Sequence, residues 1–325
     1  MYYEAYGAPE VVLELRDVPA PECGDEEVLV RVHASSVNSW DYENVVGQPG
    51  YVRPVWGLTR PRLNVLGADI AGTVEAAGKH VKRFVPGDAV FGDLSAGKWG
   101  GFGEYTVARE DELTHKPAWL SFTDAAATPQ GACMALQGLH HGQIRDGQRV
   151  LVNGAGGAVG CFAIQIARTY DVELTVVDKR EKFDLMRSLG ADRCLDYREE
   201  DYTAASDAYD LILEVTGTRS AFAYERALRR GGRFVLLGGR GGTILETLTL
   251  GWVLSQTRDK HLGLLVARAN YQVETLLELF ASGRVHPVID GIYSLEETPT
   301  ALRRLGDGVT RGKAVIEVLP GSGAP

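Results

Sequence analysis

Hydrophobic and polar residues alternate in two different ways along this chain of 325 residues. Up to about residue 122, short alternating runs separated by turn signals predict β-strands, among them 28–33, 70–75 and 89–91. From Thr123 onward, short apolar runs are separated by segments with helical spacing. That alternation predicts parallel strands joined by right-handed crossover helices. The fold class is therefore α/β, with a barrel-like β domain and a doubly wound sheet.

The second pattern assigns strands and helices to definite stretches. The predicted strands are 149–153, 173–177, 210–215 and 233–237, and the helices between them are 158–170, 182–189 and 220–228. A helix with Ser121 or Thr123 as its N-cap precedes them. Beyond about Ala267 the pattern changes again, to a helix over 273–282 and a final strand over 314–319.

A glycine-rich loop between the first strand and helix of this sheet is the strongest chemical signal. The run Leu151-Val-Asn-Gly-Ala-Gly-Gly-Ala-Val-Gly160 misses the strict G-x-G-x-x-G spacing but keeps its physical requirements. We expect Gly157 to let a pyrophosphate approach and to adopt a backbone angle that only glycine tolerates, and Gly160 to allow close helix–strand packing. The helix N-terminus offers free N–H groups to phosphates. The candidate phosphate-binding residues are Gly154, Gly156, Gly157, Ala158, Val159 and Gly160.

The next strand ends in Asp178, which raises the question of the cofactor. An acid about 20 residues beyond the loop normally accepts a hydrogen bond from a ribose 2′-hydroxyl and favours NAD. The cations Lys179, Arg180 and Lys182 follow at once, and they suit a 2′-phosphate. The spacing leaves NAD and NADP open. At the ends of two further strands we expect contacts with the nicotinamide side from Thr216, Gly217, Leu237, Gly238 and Gly239.

Composition and charge narrow the class of protein. The net charge of −9 argues against nucleic acid as the main partner. No apolar run reaches the roughly 18 residues that a membrane helix needs, and the first residues do not resemble a signal peptide. The four cysteines are scattered, which argues against disulfides and a zinc ribbon. We therefore expect a cytoplasmic protein with no nucleic-acid or membrane partner.

Several ordered motifs resemble one family, from about Tyr6 to Leu319. They include Ser36-Val-Asn-Ser-Trp-Asp41, Leu66-Gly-Ala-Asp-Ile-Ala-Gly72, Val85-Pro-Gly-Asp-Ala-Val-Phe91, the glycine loop and Arg311-Gly-Lys-Ala-Val-Ile316. Together they are similar to the medium-chain dehydrogenase/reductase superfamily, in its zinc-free quinone oxidoreductase (zeta-crystallin-like) branch. The resemblance implies a GroES-like β-barrel catalytic domain of residues 1–122 and 267–325, and a Rossmann dinucleotide-binding domain of residues 123–266.

The resemblance also implies where the chemistry occurs. In the family, nicotinamide and substrate meet beside an Asn-x-x-Asp segment, which corresponds here to Asn38 and Asp41. We expect Asn38 to orient substrate or nicotinamide, and Asp41 to act mainly in structure. Glu43 stands where some relatives have an active-site Tyr. Four aromatic residues could either line a slot for a planar substrate or pack in the core: Trp40, Tyr42, Tyr51 and Trp56. Tyr42 is also a candidate catalytic residue.

The same correspondence shows whether the chain has the ligands of a catalytic zinc ion. Zinc-dependent members of the superfamily have a Cys ligand where this chain has Asn38, and a His ligand where it has Ala68. The third ligand falls near Gly131, and Cys133 alone could not hold the metal. Because catalytic zinc needs three protein ligands, we expect no metal site.

On the cofactor, the resemblance favours NADP(H) over NAD(H). NADPH-specific quinone oxidoreductases hold the 2′-phosphate with residues that correspond to Lys182 and Tyr197, while Asp178 opposes a phosphate. Lys313 matches a Lys that many relatives place near the cofactor, although an exposed cation is the simpler alternative.

The expected function is an NADPH-dependent, zinc-independent reductase of quinones or α,β-unsaturated carbonyls, acting as a homodimer on a small electrophilic substrate. One alternative is a tailoring reductase, of a C=C bond or a ketone, for a natural-product intermediate. The other is a weakly catalytic NADPH-binding sensor or structural protein.

Overall fold

The computed structural model describes residues 1–50, 53–239 and 241–321, which divide into two compact units. Unit 1 comprises Met1–Gln130 and Pro287–Pro325, and unit 2 comprises Gly131–His286. We expected the divisions after residues 122 and 266, and both fall later along the chain. The first shifts because helix α4 (Phe122–Ala126) packs on strands of unit 1. The second shifts because helix α11 (Val273–Ala281) stacks Phe280 on Phe162 of unit 2.

Unit 1 is built around one seven-stranded sheet. Its strands are β1 (Glu27–Ser36), β2 (Asp69–Ala77), β3 (Ala89–Asp93), β4 (Tyr105–Arg109), β5 (Thr114–His115), β12 (Ile289–Ser294) and β13 (Lys313–Glu317). They follow the order β12-β13-β1-β2-β3-β5, with β4 paired to the first half of β1. Only β12 and β13 run parallel to each other. Apolar side chains of β1, β2 and β3, among them Val30, Ile70 and Val90, form one core cluster.

The described part of unit 1 also contains five short α-helices. They are α1 (Pro9–Val12), α2 (Ser39–Val46), α3 (Arg53–Trp56), α4 and α12 (Thr298–Gly306). Helix α2 begins directly after β1, with Asn38 as its N-cap. Asp41 and Asn38 form a capping box there, and Gly47 ends the helix in the left-handed conformation (φ +63°). The end of β1 and the first turn of α2 therefore hold Asn38 and Asp41 in fixed positions.

Unit 2 is a six-stranded parallel sheet with helices in its connections. Its strands are β6 (Arg149–Asn153), β7 (Glu173–Asp178), β8 (Arg193–Asp196), β9 (Tyr209–Glu214), β10 (Leu228–Leu236) and β11 (His261–Leu264). The order is β11-β10-β9-β6-β7-β8, so the chain reverses direction across the sheet between β6 and β9. Ligands of such sheets bind at the carboxyl ends of the strands at this reversal.

The helices of unit 2 complete the doubly wound arrangement. They are α6 (Ala158–Ala167), α7 (Phe183–Ser188), α8 (Ala221–Ala227), α9 (Gly241–Glu246), α10 (Trp252–Thr257) and α11, with a π-helical turn (Thr247–Gly251) between α9 and α10. Helix α5 (Pro129–His141) enters the unit across its first division. No helix in the described ranges is both long and apolar enough to cross a bilayer.

The sequence predicted the fold class correctly, and it located eight of the 13 strands and five of the 12 α-helices of the described residues. Every strand predicted from the pattern is present within three residues at its start or end, except that β10 begins at Leu228 instead of Arg233. The helix predicted over 158–170 ends at Ala167, and the one over 182–189 starts as a 3₁₀ turn before α7. Ser121, rather than Thr123, caps α4, since its Oγ accepts a hydrogen bond from the N–H of Asp124 at 3.0 Å.

Candidate active site

The glycine loop of unit 2 turns sharply at the end of β6. Gly154 adopts φ +79°, a conformation that favours glycine. The N–H groups of Gly154 and Ala155 donate to the carbonyl oxygen of Val177 at 3.0 and 3.1 Å, which ties the loop to the end of β7. Helix α6 then begins with Gly157 as its N-cap, and the N–H groups of its first turn have no partner within the helix.

Gly157 and Gly160 are glycines for different reasons. A Cβ on Gly160 would lie 2.3 Å from the carbonyl oxygen of Gly154, so the close packing expected there is present. A Cβ on Gly157 would come no closer than 3.5 Å to any atom, and its φ is −92°, which any residue adopts. The expectation of a glycine-only backbone angle at Gly157 is therefore wrong. The protein leaves open space in front of this helix N-terminus, and that space fits the phosphates of a dinucleotide.

Asp178 and Lys182 form a buried ion pair beside this loop. The Asp178 carboxylate accepts hydrogen bonds from the N–H of Gly156 at 2.9 Å and of Lys179 at 2.7 Å. The Lys182 Nζ lies 3.6 Å from Asp178 Oδ1, and both side chains are buried. A Cβ on Gly156 would lie 2.4 Å from Cδ of Lys182, so the lysine stem lies across the loop. Lys182 is thus a buried residue of the loop region rather than a solvated cation.

Tyr197 follows β8 and lies next to this pair in the sheet. Asp178 of β7 pairs with Asp196 of β8, and Tyr197 is the next residue after that pair. Its side chain is 39% exposed, and its partial burial together with the charge of Asp178 raises the pKa of its phenol. The sequence-predicted residues Asp178, Lys179, Lys182 and Tyr197 therefore lie together at the carboxyl edge of β7 and β8.

A second group of predicted residues meets at the ends of β6 and β9, around the buried carboxylate of Glu214. Glu214 Oε1 accepts hydrogen bonds from Asn153 Nδ2, Thr216 N and Gly217 N at 2.6, 3.0 and 2.8 Å. Its Oε2 accepts from the hydroxyls of Tyr202 and Tyr224. The N–H groups of Thr216 and Gly217 are therefore already used, and the contacts with the cofactor that we expect of these residues would involve their other atoms.

The loop after β10 lies against this group. Leu237 donates its N–H to the carbonyl oxygen of Glu214 at 2.8 Å. Gly239 has φ +149°, and a Cβ there would lie 3.0 Å from Cα of Gly217, while one on Gly238 would lie 3.2 Å from the carbonyl oxygen of Val215. The predicted residues Thr216, Gly217, Leu237, Gly238 and Gly239 thus form one surface at the carboxyl edge of the sheet.

In unit 1, Asn38 belongs to a buried charged cluster that also contains Asp69 and Lys313. The Lys313 ammonium donates to Asn38 Oδ1 and, at 2.9 Å, to Asp69 Oδ2. Asn38 Nδ2 donates to the same Asp69 oxygen at 3.1 Å. The other oxygen of Asp69 accepts from the N–H of Gln130 at 3.0 Å. Lys313 is thus buried, and the alternative of an exposed cation is wrong. Its ammonium has three N–H groups and donates to these two acceptors, so a contact with the cofactor would use the third.

Asp41 and Asp93 lie near the charges of Asp69 and Lys313, whereas Glu43 is a separate, partly buried carboxyl group, and burial raises the pKa of all three. Burial raises the pKa of Asp41 to about 7, although the N–H groups of Asn38 and Gly67 donate to its two oxygens at 2.8 and 2.9 Å. Burial and, after it, the charge of Asp69 raise the pKa of Asp93 to about 6. Burial alone raises the pKa of Glu43, on helix α2, to about 7. Asp41 and Glu43, with pKa values of about 7, are therefore partly protonated at neutral pH.

The aromatic candidates do not form one group. The Tyr42 ring packs on Gly306 of α12, where a Cβ would lie 2.3 Å from its Cζ. This contact gives Tyr42 a packing role. Trp40 is partly exposed on α2, and Trp56 is half-buried on α3. Tyr51 lies outside the described residues.

The residues do not fit a catalytic zinc ion. Asn38 offers an amide oxygen already bound by the Lys313 ammonium, and Ala68 has no ligand atom. Within residues 1–50, 53–239 and 241–321, no three His, Cys, Asp or Glu side chains are grouped to hold a metal. The cation beside Asn38 is the ammonium group of Lys313 and not a metal ion.

Sequence reasoning missed three residues that organise these sites: Asp69, Asn153 and Glu214. In the sequence Asp69 stands out only as the neighbour of Ala68, which occupies the position of a zinc ligand, and Glu214 only as part of a strand. The signal that could have found them is the same in each case. A polar or acidic residue at the end of an otherwise apolar strand requires buried partners.

Two family models match the chain. One, described as alcohol dehydrogenase GroES-like domain, matches residues 24–118, and one, described as zinc-binding dehydrogenase, matches residues 189–316. The mitochondrial NAD(P)H oxidoreductase RTN4IP1 of Homo sapiens is 31% identical over 351 residues, covering 97% of this chain and 88% of that protein. The quinone oxidoreductase of Sus scrofa is 32% identical over 317 residues, covering 91% and 90%. The solved structure of the quinone oxidoreductase from Coxiella burnetii superposes with a TM-score of 0.85 at 28% identity, covering 98% of each chain.

Proposed function

Because this chain belongs to the quinone oxidoreductase branch of the medium-chain dehydrogenase/reductase superfamily, we propose that it reduces quinones or α,β-unsaturated carbonyls without zinc. Its relatives establish an oxidoreductase that uses a nicotinamide cofactor. The finer proposal is carried by the environment of Asn38. There an amide is held between an ammonium and a carboxylate in a buried site, and the residues at the zinc-ligand positions are not ligands.

This environment suits a substrate that is already electrophilic. The bound cofactor supplies a hydride. In a conjugated carbonyl or quinone the displaced electron pair moves onto the oxygen, and a proton from solvent completes the two-electron reduction. Asn38 has a second N–H that no residue in the described part of the chain accepts, and it can donate to that oxygen. One such donor in a dry site is worth roughly 3–4 kcal/mol of transition-state stabilisation.

The proposed cofactor is NADP(H), with a modest preference over NAD(H). Lys179, Lys182 and Tyr197 at the edge of β7 and β8 support a 2′-phosphate. Asp178 already compensates the Lys182 ammonium, so a phosphate would meet an ion pair rather than a lone cation. For this reason we propose a preference of about tenfold, close to the lower limit for one charge-assisted contact.

We also propose that two copies associate through the edge strand β11. Its only neighbour in the described sheet is β10, and a cavity of about 330 Å³ runs beside it, lined by His141, Trp252 and Leu262 among others. Trp252 and Val266 are exposed nearby. An edge strand next to exposed apolar side chains suits pairing with the same strand of a second copy. Sedimentation of the purified protein tests this, and a monomer at micromolar concentration would contradict it.

The proposed compartment is the cytosol, as expected from the sequence. In the described part of the chain Cys23, Cys133, Cys161 and Cys194 form no disulfide, which agrees with a reducing compartment. Microscopy of the tagged protein in its own cells tests it.

The experiment for the function measures oxidation of NADPH and NADH by purified protein against quinones, enones, aldehydes and ketones. We expect turnover with quinones or enones, no stoichiometric zinc by elemental analysis, and no loss of activity with chelators. Tight cofactor binding without turnover on any of these substrates would favour a sensor or structural protein. One zinc per chain at the active site would contradict the zinc-free mechanism.

A further inference from the structure

Lys313 is the most deeply buried cation of unit 1, and it is attached to the residue on which the proposed reaction depends. Only 1% of its surface is exposed, and Asp69 is fully buried. Strand β13 begins at Lys313, after Gly312 with φ +76°, and pairs with the end of β1. The sheet therefore fixes the backbone of the lysine beside the strand that leads into Asn38.

The cluster leaves the Asn38 amide one orientation. Its oxygen accepts from the ammonium of Lys313, and its nitrogen donates to the carboxylate of Asp69. If the amide flipped, its NH₂ group would face the ammonium and its oxygen would face the carboxylate, and both contacts would be repulsive. Hydrogen bonds to charged groups are also about twice as strong as neutral ones, and neighbouring bonds in a buried network polarise one another. The amide is thus both oriented and polarised.

We propose that Lys313 is a positioning residue for hydride transfer, because its ammonium orients and polarises Asn38 as the donor to the substrate oxygen. This inference rests on the proposed function and names a residue of that same site. It also gives the cluster a role beyond stability. A buried ion pair by itself contributes little, and an apolar pair of similar volume is often as stable.

A test must separate this role from simple charge compensation, and a double variant does so. Lys313→Met alone leaves the Asp69 carboxylate buried without a cation, which destabilises the protein. Asp69→Asn together with Lys313→Met removes both charges at nearly constant volume. In the double variant Asn38 keeps polar neighbours but loses the opposite charges that fix and polarise its amide.

The chain also provides a matched control. Lys260 in unit 2 is buried, its Nζ lies 3.2 Å from Glu225 Oε1, and it donates to the Glu225 carbonyl oxygen at 2.8 Å. Lys260→Met therefore removes a buried, paired ammonium far along the chain from Asn38. We expect this variant to lose stability and to keep the kcat of the wild type within about twofold.

The measurements are thermal stability, NADPH affinity by fluorescence titration, and steady-state kinetics with the best quinone or enone, using NADPH and its 4-deuterated form. In the double variant we expect stability close to that of the wild type and NADPH affinity within threefold. We expect kcat and kcat/KM to fall together by about 10- to 100-fold, because an interaction made only in the transition state is lost. The deuterium isotope effect on kcat should rise as hydride transfer becomes slower.

Recovery of kcat to within threefold of the wild type in the double variant would overturn the inference, because Lys313 would then serve stability alone. Loss of NADPH affinity in that variant would overturn it too, since the effect would lie in binding. If Lys313→Met folds, the same criteria apply to it. A wild-type protein that turns over no substrate refutes the proposed function itself, and that result is seen before any variant is made.

Discussion

The glycine loop of unit 2 and the charged cluster of unit 1 prepare their sites in opposite ways. The loop leaves space. At Gly157 the protein has room for a side chain and places none, in front of a helix N-terminus. The cluster fills space, with Asn38, Asp69 and Lys313 all buried and hydrogen-bonded to one another. A cofactor site needs backbone N–H donors that have no partner until the ligand binds. A site for hydride transfer needs side-chain donors that are already oriented.

The largest effect is expected at the loop, where two glycines can be compared directly. Gly160→Val should destabilise unit 2 by about 3 kcal/mol or more, because even its Cβ would overlap the carbonyl oxygen of Gly154. Gly157→Val should change the free energy of unfolding by less than about 1 kcal/mol and yet weaken NADPH binding by more than about tenfold. Denaturant unfolding and fluorescence titration of both variants measure this. Unchanged NADPH affinity in folded Gly157→Val would show that the pyrophosphate lies elsewhere.

Asp41, whose carboxyl group accepts a hydrogen bond from the N–H of Asn38, should affect the pH dependence of stability. The folded-state pKa of Asp41 is about 7, well above the ordinary value of 3.8. Between about pH 4 and pH 7 this group therefore binds a proton when folded and not when unfolded, so its contribution to stability falls as pH rises. Asp41→Asn should remove that slope, which amounts to about 1.4 kcal/mol for each pH unit within this window.

The readout is the difference between wild type and Asp41→Asn in the free energy of unfolding, followed from pH 4 to pH 8. Taking the difference cancels the opposite slopes of the surface carboxylates that are paired with arginines. A difference that stays constant with pH would mean that Asp41 is ionised in the folded protein over the whole range.

The edge of β7 and β8 should show a smaller effect, on cofactor choice. Lys182→Met should weaken NADPH binding by about tenfold and leave NADH binding nearly unchanged, because the 2′-phosphate loses its buried cation. Asp178→Ser should increase the preference for NADPH. Titration of both coenzymes against the wild type and both variants decides the matter. Equal weakening of both coenzymes by Lys182→Met would indicate that Asp178 governs the pocket.

The smallest effect is expected at Tyr42. Its ring packs on Gly306, so Tyr42→Phe should keep kcat within about twofold of the wild type. A loss of kcat by tenfold or more at unchanged stability would support the catalytic role predicted for Tyr42 from the sequence.

The sequence predicted the structure correctly where the local pattern of residues determines it. The strands of unit 2 were predictable because each is a short apolar run, and the loop was predictable because turn geometry and phosphate approach both demand glycine. Helix α5 was not predicted. Its Gly138 suits it to close packing, since a Cβ there would lie 2.7 Å from Leu213, but glycine in a sequence argues against a helix.

The cluster around Asn38 could be predicted only in part. The resemblance identified Asn38, but the ammonium that orients it comes from Lys313, 275 residues further along the chain. Nothing in local periodicity brings β13 next to β1, and an isolated lysine near a chain end is usually exposed. Only the pairing of the strands shows that Lys313, Asp69 and Asn38 share one buried site.

The most direct test of the account is a single-turnover reaction with NADPH deuterated at the transferred position, an enone as substrate, and Asn38→Leu as the comparison. We predict that wild-type protein places the deuterium on the β-carbon of the product. Asn38→Leu should bind NADPH within threefold of the wild type and transfer deuterium at least 100-fold more slowly, because the oxyanion has lost its donor. Transfer at the wild-type rate in Asn38→Leu, or consumption of NADPH without deuterium in the product, would contradict the account.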